Sequence, residues 1–399
     1  METKSDTVDT IRRPASGAQA PPMSRSNAPV ALSNSQISAH PTAIVYCERN
    51  FTGIDGKTAN GLVRHSQAYR ILSVIDSTYS GQDSGLVLDN RVNRIPIFGH
   101  LEAAVAYEAV TPDTLIYGMA PSTGRLSIVD RGVVLQAIQL GMNIVSGLHE
   151  YLCDDTEIAS AASDRNVTIR DIRKPKASKD MRLFDGSVAD VKALRIAVLG
   201  TDCAIGKRTT ATVLARALNA KGIKTVLVGT GQTGLMQGAK YGIAMDAVPP
   251  QFCCGELEGA IVAASDGEQP DVILIEGQGA LSHPAFCTSA FILRGSQPDA
   301  VILQHAPKRA HRCDFPTMPM PTSSSEIALI EAFADTKVIG VTLNHERMSE
   351  VEITDTIAAQ SQQLGLPVTD ALARPVADLL AMVTAAYPAL TRRPAVATV

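Results

Sequence analysis

The sequence predicts an α/β protein made of two doubly wound domains, and three observations predict it. Short apolar runs bounded by polar residues recur along the chain with amphipathic stretches between them, the pattern of buried parallel strands alternating with helices. Of the 399 residues 45% are hydrophobic but only 4% aromatic, with no Trp, so small aliphatic side chains dominate and suit helix-on-sheet layers. The length is enough for about two domains of ordinary size.

Residues 1–40 are rich in Ser, Ala, Pro, Asn and Thr, with little apolar periodicity. Such a segment buries too little surface to offset its ordering entropy, so a disordered arm is expected there. Ordered sequence begins with the apolar run 43–47, and similar runs at 71–75, 115–117 and 143–145 read as buried strands. Helical patterns fall between them at 101–107 and 131–140, the second closed by Gly141 in a C-cap position. This alternation makes residues 41–190 a Rossmann-like domain. The charged stretch 171–192 carries Pro175 and marks the boundary. Beyond it the strand 195–199, a glycine loop, a helix over 210–218, a strand at 225–228, a helix through 257–264, and strands at 271–275, 300–303 and 338–342 make 191–399 a P-loop NTPase-like domain.

Composition narrows the function. Lys and Arg number 36 against 40 Asp and Glu, a net charge of -4 that lacks the basic excess of a phosphate-backbone binder. Few aromatics leave little for base stacking, so no nucleic-acid partner is expected. The seven cysteines are scattered, odd in number and without a CxxC pair, so neither a disulfide framework nor a metal site is read. The chain starts METKSDTVDT without an apolar h-region, and no apolar run approaches the roughly 20 residues of a membrane span. A cytoplasmic protein without membrane contact is expected.

The sharpest chemical signal is Gly200, Thr201, Asp202, Cys203, Ala204, Ile205, Gly206, Lys207, Arg208 and Thr209, set between a strand and an amphipathic helix. Glycines let successive N–H groups curl around one anion, the helix N-terminus adds its positive dipole end, and Lys207 adds a mobile charge. The spacing departs from G-x-x-x-x-G-K-[ST]: five residues separate Gly200 from Gly206, and Arg208 precedes Thr209. Adjacent helical positions point about 100° apart, so Thr209 does not inherit the usual Mg²⁺-facing place.

Glu276 ends the apolar strand 271–275 and precedes Gly277-Gln278-Gly279, which resembles a Walker-B element; it suits a proton acceptor or a Mg²⁺ ligand. His283 follows as a second acid–base candidate. The turn 229–234, which contains Gln232, fits either an anion site or simple strand-exit geometry. Arg309 and Arg312, after the strand at 300–303, are candidates to clamp a carboxylate or phosphate. Asp246 and Glu258 are crevice or surface carboxylates. In the first domain no G-x-G-x-x-G follows the first strand, although Asp76 stands where a ribose-binding acid would, so dinucleotide binding is unsupported. Segments 60–66 and 146–150 bring glycine and polar residues to connections that face a pocket between the domains.

Over residues 43–390 the chain resembles the two-domain P-loop family that includes the DgcN-type D-glutamate N-acetyltransferases. The resemblance rests on residues 57–64, 74–77, 144–149 and 153–155, and then on 200–207 with Thr209 and Thr210, 229–234, 276–279 with His283 and Pro284, and 364–369. The loop is also similar to the G-T-D-x-x-x-G-K loop of dethiobiotin synthetase. The family resemblance implies acetyl transfer from acetyl-CoA to the amino group of D-glutamate or a related amino acid. It implies Glu276 or His283 as the base, residues 200–209 on the CoA phosphates, and Arg309, Arg312 and Gln232 on the substrate. The alternatives are an ATP/Mg-dependent ligase or kinase, with Asp202 and Glu276 around the metal, and a non-catalytic nucleotide sensor. A small-molecule amino-acid substrate and a homo-oligomer, dimer or higher, are expected.

Overall fold

The apolar runs bury both faces, and strands buried on both faces pair in parallel beneath helices. In the computed structural model of the protein, residues 40–391 are described, Ser122 and Asp314 excepted; apart from His40, the arm expected over 1–40 lies outside them. The first sheet comprises β1 (Thr42–Tyr46), β2 (Arg70–Ile75), β3 (Ile97–Phe98), β4 (Thr114–Tyr117), β5 (Asn143–Ser146) and β6 (Ile169–Asp171) in the order β3-β2-β1-β4-β5-β6. Every pairing in it is parallel. Helices α1 (Lys57–His65), α2 (Ser84–Asp89), α3 (Leu101–Tyr107), α4 (Ile128–Gln139) and α5 (Thr156–Asp164) alternate with the strands. Ile44, Val45, Val74, Leu115, Ile116 and Ile144 form the centre of this core.

The second sheet holds β7 (Leu194–Gly200), β8 (Thr225–Gly229), β9 (Tyr241–Gly242), β10 (Val272–Glu276) and β11 (Ala300–His305). After the hairpin β12 (His311–Arg312) and β13 (Phe315–Pro319) come β14 (Lys337–Leu343) and β15 (Val368–Asp370). The sheet order is β15-β14-β11-β7-β10-β8-β9, all parallel, with the glycine-loop strand β7 between β10 and β11. Helices α6 (Lys207–Ala220), α7 (Gln232–Gln237), α8 (Pro250–Glu268), α9 (Thr288–Ser296), α10 (Ser323–Phe333), α11 (Glu350–Leu364) and α12 (Val376–Ala386) cover the faces. The chain is thus an α/β protein of a Rossmann-like and a P-loop domain. Among the described residues no helix is long and apolar enough to cross a membrane, and there is no disulfide bond.

The domains dock through α1 and α7, the helices that follow β1 and β8. Thr58 and Thr233 share a hydroxyl–hydroxyl bond of 2.7 Å, and the Gln237 carbonyl accepts the amides of Gln67 at 2.7 Å and Ala68 at 3.2 Å. Gln237 Nε2 donates back to the Gly61 carbonyl. Asp246 receives Nε and Nη2 of Arg173 at 3.0 and 2.7 Å, which ties the segment after β6 to the P-loop domain.

The connection between the domains is held on α8. An added Cβ at Gly255 would lie 2.3 Å from the Arg182 carbonyl oxygen, so only glycine lets the strand of chain cross there. Fully buried Glu258 accepts the amides of Asp185 at 3.0 Å and Val188 at 3.2 Å, and Glu256 accepts that of Arg182 at 2.6 Å. Glu258 is therefore an anchor for the connection. Replacing it by Ala leaves two amides without their acceptor, which costs about 1–3 kcal/mol; the expected result is a lower urea midpoint, read by equilibrium unfolding.

Candidate functional site

The loop after β7 is shaped by the side chains that hold its carbonyl groups. Arg312 Nη1 donates to the Thr201 oxygen at 3.3 Å, Arg309 donates to those of Cys203 at 2.9 Å and Ala204 at 3.0 Å, and Asn344 Nδ2 to that of Ile205 at 3.1 Å. Lys207 Nζ takes the Asp202 oxygen at 2.5 Å. Ala204 at φ 49° and Gly206 at φ 106° adopt the left-handed turns this path requires. With five successive carbonyls tied back, the amides of residues 204–209 meet no protein acceptor among the described residues. Open N–H groups at the start of a 14-residue helix form an anion cradle.

Asp202 fixes this arrangement. Its side chain is 0% exposed; Oδ2 accepts the Cys313 amide at 2.8 Å and Arg309 Nη1 at 3.3 Å. Arg309 is itself paired with Glu346 at 2.7 and 3.0 Å. His283 Nε2 lies 3.9 Å from Asp202 Oδ1. The ligand atoms of Asp202, Cys203 and Cys313 lie within 4.8 Å of one another and could hold a metal ion. Two thiolates in such a set suit a soft ion, not the all-oxygen shell of Mg²⁺. Lys207 is 5% exposed; burial lowers its pKa, and Cys203, Asp202, Cys313 and Glu276 act in the opposite direction. Thr210 turns inward to Gln304 Oε1 at 2.6 Å, while Thr209 is half-buried.

Glu276 stands at the carboxyl end of β10, beside the loop strand, and is 6% exposed. Its Oε2 accepts the Thr230 amide at 3.1 Å. An added Cβ at Gly234 would lie 2.3 Å from that oxygen, so the glycine turn leaves the space that the carboxylate fills. Burial pushes the Glu276 pKa up, opposed by the charge of Arg208 and the Thr230 and Gly231 amides. Arg208 reaches across the domain boundary: an added Cβ at Gly61 would lie 2.6 Å from its Nη2. Gln232 lies between the domains, its Cγ 3.0 Å from where a Gly147 Cβ would stand. Segments 60–66 and 146–150 thus meet the P-loop domain.

The other expected site residues have structural partners. His283 has a fully buried side chain stacked on Phe286 at 4.6 Å, and its Nδ1 accepts the amides of Ala285 and Phe286 at 3.2 Å. Arg309 and Arg312, expected on a substrate carboxylate, are placed on the loop carbonyls, with Arg312 also on Ser282 Oγ at 2.8 Å. Thr201 Oγ1 meets His305 Nδ1 at 3.0 Å. Asp76 binds the amides of Phe51 at 2.9 Å and Thr78 at 2.8 Å, so it organises its own loop. Sequence reading missed Arg208 as a cross-domain residue, and missed Asn344 and Glu346, whose roles depend on contacts distant in sequence.

Comparison with known proteins decides the family. Residues 182–380 match the model described as "Domain of unknown function (DUF1611_C) P-loop domain", and residues 77–175 match the companion Rossmann-like domain, DUF1611_N. The chain belongs to the DUF1611 family. It is 32% identical over 269 residues to a protein of Tritonibacter scottomollicae named D-glutamate N-acetyltransferase, an alignment covering 66% of this chain and 78% of that one. A Pseudoalteromonas protein of the same name is 34% identical over 274 residues, covering 67% and 80%. The crystal structure of a DUF1611 family protein from Anabaena variabilis superposes with a TM-score of 0.80 at 30% identity, over 87% of this chain and all of that one.

Two histidines, His305 buried and His65 half-buried, give this DUF1611 protein a pH signature. Burial pushes His65 and His305 down from 6.5 to about 4. Unfolded, each takes up a proton that the folded state refuses, so their stabilisation is present above pH 6.5 and is lost as pH falls through about 4. The urea midpoint should fall between those limits, and His305→Asn should remove part of the slope, on the order of 2 kcal/mol.

Proposed function

We propose that this DUF1611 protein transfers an acetyl group from acetyl-CoA to the amino group of D-glutamate or a related amino acid. The observation that carries the reading is an anion cradle beside a buried carboxylate, on adjacent strands β7 and β10. The relatives named D-glutamate N-acetyltransferase support it.

The amides of residues 204–209 and Lys207 hold CoA phosphates, with Arg309, Arg312 and Asn344 keeping the loop in shape from behind. The acceptor arrives as an ammonium and must lose a proton before it attacks the thioester carbonyl. Glu276 takes that proton: burial raises its basicity, while the Arg208 charge and the Thr230 amide favour its carboxylate form. The amine nitrogen bonds to the carbonyl carbon, the carbon–sulfur bond breaks, and the second amine proton passes to the departing sulfur, so that CoA leaves as a thiol. Amides of the glycine turn 229–234 other than those of Thr230 and Gly231, which bind Glu276, steady the oxyanion. His283 acts as a positioning residue that supports the Asp202 side of the loop.

The ATP/Mg-dependent alternative fits the donors less well. Asp202 is engaged by Arg309 and the Cys313 amide, and the groups clustered with it that could share an ion are the thiols of Cys203 and Cys313.

Incubation with acetyl-CoA and a panel of D- and L-amino acids should release free thiol with at least one amine. The rate should fall as pH is lowered through the raised Glu276 pKa, an acid limb lying above the ordinary value of 4.5. Glu276→Gln should remove that limb and lower kcat by about 10²–10⁴, and Lys207→Ala should weaken CoA binding about tenfold or more. No thiol release with any amine, together with Mg²⁺-dependent ADP formation, would replace this reading with the ligase or kinase.

A further inference from the structure

A cavity of about 360 Å³ opens at the carboxyl edge of the first sheet, away from the phosphate loop in sequence and in domain. It is lined by residues that follow β1 (Asn50, Asp55) and by residues of β4 and the segment after it, among them Tyr117, Met119, Arg125 and Asp130. The strand order reverses between β1 and β4, so the cavity stands at the switch point where open α/β sheets receive ligands. Its volume is at the low end for ligand pockets, which run from about 300 to 1,000 Å³. That suits a small metabolite and is too small for a dinucleotide, in keeping with the missing glycine fingerprint.

The chemistry of the lining narrows the class. Asp130 is 9% exposed and takes Tyr46 Oη at 2.7 Å on one oxygen. The other takes Tyr117 Oη at 3.0 Å and the Ser127 amide at 3.4 Å. Tyr46 and Tyr117 are paired residues on neighbouring strands, and burial raises both phenol pKa values, so both stay protonated and donate. The capping box of α4 explains the Ser127 contact. It does not explain two tyrosine hydroxyls brought to one carboxylate at the wall of a cavity. Three donors leave room for one more on a carboxylate with about four lone-pair sites, and no cation pairs with Asp130 among the described residues. Arg125 is exposed, lines the same cavity, and its guanidinium makes no ion pair or hydrogen bond among the described residues. Asp55 adds a second acid, so the charged lining carries one more negative than positive group.

We infer that this cavity is a second ligand site that takes an α-amino acid, its ammonium on Asp130 and its carboxylate on Arg125. Met119, Pro121 and Leu126 supply the apolar wall along which the rest of the ligand lies. The inference does not rest on acetyl transfer: binding here needs neither acetyl-CoA nor turnover.

The test is calorimetric titration of the full chain, without acetyl-CoA, with a panel of D- and L-α-amino acids and their N-acetyl derivatives. The chain lacks Trp, so tyrosine fluorescence gives a second readout from Tyr46 and Tyr117. Saturable binding by at least one amino acid is expected, weakened about tenfold or more by N-acetylation, by Asp130→Asn and by Arg125→Ala. If Asp130→Asn fails to fold, judged by thermal melting, the exposed Arg125→Ala decides alone. The proposal is overturned by no binding from any amino acid, by equal binding of the N-acetyl derivative, or by binding that Glu276→Gln abolishes and the cavity variants leave intact.

Discussion

The buried carboxylate of Asp202 is the fastening on which the active edge of the P-loop domain depends. It draws Arg309 and the Cys313 amide onto one oxygen. Arg309, so placed, takes two loop carbonyls, and Arg312 beside it takes a third. A peptide whose carbonyl is tied to one side turns its N–H to the other, so the carboxylate's partners indirectly set the direction of the amides. Removing one member of such a buried pair leaves the other charge uncompensated, which is why the loop, the hairpin β12–β13 and the turn at Glu346 are coupled.

The second constraint is that the connections leaving β1 and β8 face each other. Close approach requires small residues, and Gly61 receives Arg208 while Gly147 receives Gln232 and Met236. Arg208 therefore couples the helix that follows Lys207 to the Rossmann-like domain, and its charge reaches Glu276. In the first domain the strand order is the one seen in dinucleotide-binding folds. The acid at the end of β2 nevertheless holds its own loop together through Phe51 and Thr78, and the pocket at the switch point is small.

Sequence reading found the elements whose evidence is contiguous. The phosphate loop is strand, glycine, lysine and helix within a dozen residues, and Glu276 ends a wholly apolar strand; both stand where they were expected. β3 and β6 are two and three residues long, too short for a periodic pattern to mark them. The glycine and polar residues of 60–66 read as a connection, yet the buried face of Thr58, Ala59 and Leu62 makes Lys57–His65 a helix. Partners remote in the chain were not legible: Asp202 and Cys313 are 111 positions apart, and Ile205 and Asn344 are 139 apart. Two arginines after a strand look alike whether they await a ligand carboxylate or hold loop carbonyls; only the fold distinguishes them.

The most direct measurement is a crystal structure of the protein with CoA. The account predicts a CoA phosphate within hydrogen-bond distance of the amides of residues 204–209 and of Lys207 Nζ, with the thiol end directed toward Glu276. Phosphates bound elsewhere, with this loop unchanged, would contradict it.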